Sequence, residues 1–122
     1  MPKRRHLGAP ERLSVSHALI GLAKEIHRTW VPYKPFGTEI DLVFVSACVG
    51  IGDFEERPMT ASNVAHYIEM PRATVERKLS ALIRRGVVIR QGNVFVLAPR
   101  TEADVAKYVE RAKRVLLKAQ PK

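Results

Sequence analysis

The feature that most constrains this chain is a change of period at Gly86. Upstream of it, apolar residues recur at helical spacing. Val64, Ala65 and Ile68 form a short run, and Val75, Leu79, Leu82 and Ile83 a longer one. Downstream, Val87-Val88-Ile89-Arg90 and Val94-Phe95-Val96-Leu97 are β-rich runs joined by Gln91-Gly92-Asn93, the pattern of a tight hairpin. Met70-Pro71 separates the two helical runs, since proline lacks an N–H and biases the residue before it away from helix. Thr60 is a good N-cap for a first helix over 61–69. The second helix is predicted over 72–85, closed by Gly86. A bracing helix, a tight break, a longer helix and a hairpin define a mainly α chain with a small β-hairpin wing. This α+β arrangement is a winged helix-turn-helix.

The flanks add helices. Residues 1–11 read as a basic, disordered arm, and 12–37 as a helix to Trp30 followed by a linker holding Pro32 and Pro35. The winged segment is placed at 38–98. Thr38-Glu39-Ile40-Asp41 resembles a capping box, and the apolar run 42–49 behind it suits a buried strand or helix. The cap favours helix, with Gly50 and Gly52 ending it. Residues 99–122 form a last helix opened by Thr101, with Asp104 three residues on. Its stripe of Val105, Tyr108, Val109, Ala112 and Leu116 needs a cover, and Leu19, Leu22, Ile26 and Trp30 of the first helix offer one. The two stripes can pair within one subunit or across a two-fold. Pairing in a homodimer is the preferred reading, because a dimer reads two half-sites.

Charge then becomes informative. The net charge is +9. Residues 1–35 carry +5, 36–59 carry −4, 60–100 carry +5 and 101–122 carry +3. Such a chain attracts phosphates or an anionic membrane, although charge also serves solubility. The alternation favours a polyanion met by some faces and avoided by others. On the second helix, Arg72, Thr74, Arg77 and Lys78 are expected to face outward. An α-helix fits the DNA major groove, where arginine pairs with guanine or phosphate. Thr60, Ser62 and Asn63 open the bracing helix and suit a phosphate. Arg90 sits on the wing. Arg84 and Arg85, in the last helical turn, are read as solvated partners of the helix dipole, and Glu76 as a local partner of Arg72, Arg77 or Lys78.

Pro58-Met59-Thr60-Ala61-Ser62-Asn63-Val64-Ala65, Met70-Pro71-Arg72-Ala73-Thr74-Val75-Glu76-Arg77-Lys78-Leu79 and Arg85-Gly86-Val87-Val88 resemble the winged helix of bacterial MarR-type transcription regulators. The resemblance spans about 38–97 and implies a homodimeric regulator binding double-stranded DNA. Ser62, Arg72, Thr74, Arg77, Lys78 and Arg90 are the DNA-facing positions it implies. Glu69 stands where such turns usually carry glycine, so a reshaped or strained turn is expected. Non-specific nucleoid binding through the basic arm, and a winged helix used as a protein-interaction module, are the alternative readings.

Other chemistry finds no pattern. His6, His17, His27 and His66 never fall at i, i+4, and one cysteine makes no zinc cluster, so no metal, cofactor or catalytic site is expected. Cys48 lies in the most apolar run and reads as a buried small hydrophobe. His27 and Trp30 read as interface or core, and no small-molecule effector is indicated. Eleven uncharged residues between Asp41 and Asp53 are too few to span a bilayer. The basic start has no apolar run behind it and reads as no signal peptide, so a cytoplasmic, non-enzymatic protein is expected.

Overall fold

The computed structural model describes residues 9–119. Among them, α1 (Ala9–Trp30) is followed by a 3-10 turn (Phe36–Thr38), α2 (Ile40–Phe54), α3 (Ala61–Tyr67) and α4 (Arg72–Arg84). The antiparallel pair β1 (Val88–Gln91) and β2 (Val94–Leu97) comes next, and α5 (Glu102–Ala119) closes the order. This is the mainly helical winged helix-turn-helix that the period change at Gly86 predicts. The chain divides into two compact units, Ile26–Arg100 and a second one built from the segments up to Glu25 and from Thr101 onward.

In the Ile26–Arg100 unit α2 is the central element. Leu42, Val43, Val45, Cys48 and Val49 are buried on several of its sides, which is why its sequence is apolar all round. Val31, then Ala61 and Val64 of α3, Val75, Leu79 and Leu82 of α4, Val87, and Val88 and Phe95 of the hairpin complete the core. Two expectations about α2 are corrected. Thr38 does not cap it. The Thr38 hydroxyl donates to the Pro35 carbonyl (2.7 Å), and the helix starts at Ile40 behind Glu39, with no side-chain cap bond. Nor do Gly50 and Gly52 end it, since it runs on to Phe54.

Gly52 answers a demand for space. A Cβ there would lie 2.9 Å from both the Arg57 carbonyl oxygen and Met59 Cγ, whereas one on Gly50 would meet only Leu97 Cδ1, at 3.4 Å. Gly52→Ala is therefore expected to destabilise this unit by about 1–3 kcal/mol through overpacking. Gly50→Ala should be neutral or gain up to about 1 kcal/mol of helix propensity. Urea denaturation of the two variants checks this, and equal midpoints would refute the crowding at Gly52.

Three helices end in the same way, with a left-handed residue after the cap. Arg57 N–H donates to the Gly52 carbonyl after α2, Met70 N–H to Ala65 after α3, and Val87 N–H to Leu82 after α4. These are the six-to-one bonds of a Schellman motif. The residues at positive φ at these three ends are Glu56 (57°), Glu69 (52°) and Gly86 (74°). Only the last is a glycine. The turn before α4 thus keeps the usual geometry, held by a strained glutamate, and α3 ends at Tyr67 rather than Glu69. Glu69→Gly is expected to raise stability by about 1 kcal/mol, the left-handed cost for an L-residue less the added freedom of glycine. A thermal unfolding midpoint no higher than wild type would contradict that.

The hairpin pairs Val88 with Leu97 and Gln91 with Val94, leaving Gly92-Asn93 as its loop, with Gly92 at φ 66°. β1 is displaced one residue from the predicted 87–90. On the far side of β2, Phe95 N–H donates to the Met59 carbonyl (3.0 Å) and Leu97 N–H to Asp53 Oδ2 (3.1 Å).

In the other unit α1 and α5 meet within one chain. A Cβ on Gly21 would lie 2.9 Å from Val115 Cγ1, and Arg111 Nε donates to Glu25 Oε2 (2.7 Å). Thr101 Oγ1 accepts from Asp104 N–H (3.1 Å), as its capping pattern predicts. The helical backbone of α1 begins at Ala9 rather than residue 12, and the predicted arm otherwise lies outside the described residues. Contact between α1 and α5 leaves much of their apolar surface open. Leu19 is 57% exposed and Leu116 50%, and Leu13, Val15, Ile20, Val109 and Leu117 are also exposed. Leu22, Val105, Tyr108 and Ala112 are half-buried.

Candidate nucleic-acid interface

Helix α4 is amphipathic in a way that sets its outer face. Val75, Leu79 and Leu82 point into the core. A rotation of 100° per residue puts Ala73, Arg77, Ser80 and Arg84 on the opposite crest. All four line a shallow surface depression with Glu76, about 520 Å³ in volume. Ala73 and Ser80 carry no charge that would mark them in the sequence. Their i, i+4, i+7, i+11 spacing with Arg77 and Arg84, opposite the apolar stripe, is the signal that finds them.

Arg72, Glu76 and Ile83 lie on the flank toward the wing. There a groove of about 460 Å³ is walled by Arg72, Glu76 and Ser80 of α4, Ser62 of α3, and Arg90 and Asn93 of the hairpin. Arg72 Nε donates to Glu76 Oε1 (3.0 Å), the local pairing expected of this glutamate. Arg90 Nε donates to the Gly92 carbonyl (2.9 Å), and its guanidinium stands 5.9 Å from the Phe95 ring, so the wing arginine is held at the groove mouth. Thr60 and Asn63 form a reciprocal capping box. Asn63 N–H donates to Thr60 Oγ1 (3.1 Å) and Thr60 N–H to Asn63 Oδ1 (3.0 Å). Their polar atoms thus organise the entry to α3. Thr74 and Lys78 lie on the other flank. Thr74 is half-buried and accepts from Arg77 Nη2 (3.4 Å), and Lys78 Nζ is drawn to Asp41 Oδ2 (3.9 Å) on α2.

The C-terminal end of α4 is fixed by a buried ionic cluster. Glu39, 3% exposed, receives a salt bridge from Arg85, the residue that caps α4. Its Oε1 accepts from the Lys34 N–H (2.9 Å) and lies 3.1 Å from His27 Nε2. The Tyr33 ring stacks 4.9 Å from the Arg85 guanidinium, and its hydroxyl donates to the Arg85 carbonyl (3.4 Å). Burial would raise the Glu39 carboxyl, but Arg85, the Lys34 amide and His27 outweigh it and hold it at about 2. Arg85 is therefore not the solvated dipole partner that its place in the sequence suggests, although Arg84 is exposed. Cys48 is buried, its thiol pushed up to about 11 by desolvation, with Sγ 3.4 Å from Met59 Sδ. Trp30 lies under the Arg100 guanidinium at 4.6 Å.

Among the described residues, no cluster of three or more His, Cys, Asp or Glu side chains could hold a metal ion, and no helix is long and apolar enough to cross a membrane. Searches of curated proteins and of solved structures return no significant match. Residues 55–92 match the family model of the IclR helix-turn-helix domain, a stretch holding α3, the strained turn, α4 and β1. The match supports a DNA-binding winged helix-turn-helix of the kind found in bacterial regulators. Its likeness is to the IclR type and does not extend to the MarR-type resemblance of the sequence.

Proposed function

We propose that the protein is a sequence-specific, double-stranded-DNA-binding transcription regulator that acts as a homodimer. One observation carries this reading. The helix at the centre of the IclR-type match turns Arg77, Ser80 and Arg84 outward, opposite its buried stripe, with Arg72 and Arg90 flanking a groove beside them. α4 enters the major groove. Arg72 and Arg77 reach base edges or phosphates from its first half, and Ser62 and Arg90 hold the backbone on either side. Thr60 and Asn63 set the position of α3, and Thr74 and Lys78 contact DNA only from the rim.

The open apolar surface of α1 and α5, chiefly Leu19 and Leu116 with Leu13, Ile20 and Leu117, supports pairing with a second copy. A dimer presents two copies of α4 to half-sites about one helical turn apart. The test is selection of bound duplexes from a random pool at fixed salt, with the complex mass measured by sedimentation. Enrichment of a palindrome bound by two chains is the expected result. An unenriched pool refutes specific recognition, and a one-to-one complex refutes the dimer.

A further inference from the structure

We infer that Glu76 is a base-reading residue that selects cytosine in the groove α4 enters; the inference rests on the DNA-binding reading above. Glu76 walls both depressions beside α4, so it stands between the helix crest and the wing. Its side chain is 53% exposed. Arg72 Nε holds Oε1 at 3.0 Å, while Oε2 has no intramolecular partner among the described residues. The carboxylate is thus aimed and half open.

Around it the exposed face carries Arg72, Arg77, Arg84 and Arg90. A carboxylate there opposes every phosphate that those arginines attract. An exposed i,i+4 pair adds little to stability, so local helix support is a weak reason for the residue. A base edge supplies the better one. The major-groove group that suits a carboxylate is the exocyclic N4 amine of cytosine. Glu76 then repels a duplex unless that amine is presented, and Arg72 stays oriented for a neighbouring guanine or phosphate.

Duplex selection repeated at one salt concentration with wild type, Glu76→Gln and Glu76→Ala tests this, with circular dichroism melts confirming that each variant folds. The wild-type consensus should hold a fixed C·G pair. Both variants should lose preference for it by about 10-fold, while binding to random duplex tightens. Glu76→Gln should shift the preference toward adenine, whose N6 and N7 pair with an amide. An unchanged consensus with uniformly tighter binding overturns the Glu76 assignment and leaves the DNA reading standing. No enrichment with wild type overturns specific recognition and this inference together.

Discussion

Glu39→Ala is expected to cost the Ile26–Arg100 unit about 3–5 kcal/mol, the usual result of breaking a buried ion pair by removing one partner. For a unit of this size, that lowers the melting midpoint by upwards of about 12 °C. The substitution strips Arg85 of its counter-ion and frees the Lys34 amide and His27 from their shared acceptor. It thereby loosens the last turn of α4 from the start of α2. The same carboxylate sets a pH window. Its pKa falls from 4.5 to about 2 on folding. Its contribution is therefore complete above pH 4.5 and is lost as pH falls through about 2. Converted by linkage, the shift corresponds to about 3 kcal/mol. Urea denaturation at neutral and acid pH reads both effects. A Glu39→Ala variant within 1 kcal/mol of wild type at neutral pH, or one with the same acid loss, would refute the role of this cluster.

The second large effect contrasts two residues two positions apart on one helix. Leu79 is 1% exposed, and Leu79→Ala should cost about 2–5 kcal/mol through the cavity it leaves. Arg77 lies on the opposite crest, and Arg77→Ala should leave stability within about 0.5 kcal/mol. Its loss appears in DNA affinity instead, about 1–3 kcal/mol on a selected site if it reads a base. An equal loss on all sequences, with a shallower salt dependence, makes Arg77 a phosphate contact. Unfolding and fluorescence anisotropy titrations on both variants decide the matter. If Arg77→Ala unfolds the protein while Leu79→Ala spares it, the assigned orientation of α4 is wrong.

What could be read in advance followed from periodicity. The switch from helical to alternating spacing around Gly86 placed α3, α4 and the hairpin, because burial of one face imposes those periods locally. The ends of α2 were hidden for a physical reason. A glycine admitted because Arg57 and Met59 pass close by looks the same in sequence as a glycine that stops a helix. In the sequence Lys78 reads as one outward face with Arg77, yet one further residue of helix turns it toward Asp41. Glu39 and Arg85 were out of reach of any local rule. They are 46 positions apart, and each alone has the composition of a surface residue. Glu69 is legible in the sequence as a misfit in a glycine position, and its positive φ shows the turn keeping its shape with a strained residue.

The hydrogen bonds on the outer side of β2 bear on whether the sheet can grow. An open strand edge is a template for further strands and a route to aggregation. Here Phe95 and Leu97 have already spent their outward N–H groups on the Met59 carbonyl and the Asp53 carboxylate. On that side of the strand neither N–H is left to donate to an incoming chain. The other side is a strand of only four residues that includes Arg90, short and charged as protected edges are. The wing is thus a poor seat for a further strand, on one side because its N–H groups are already bonded and on the other because its strand is short and charged.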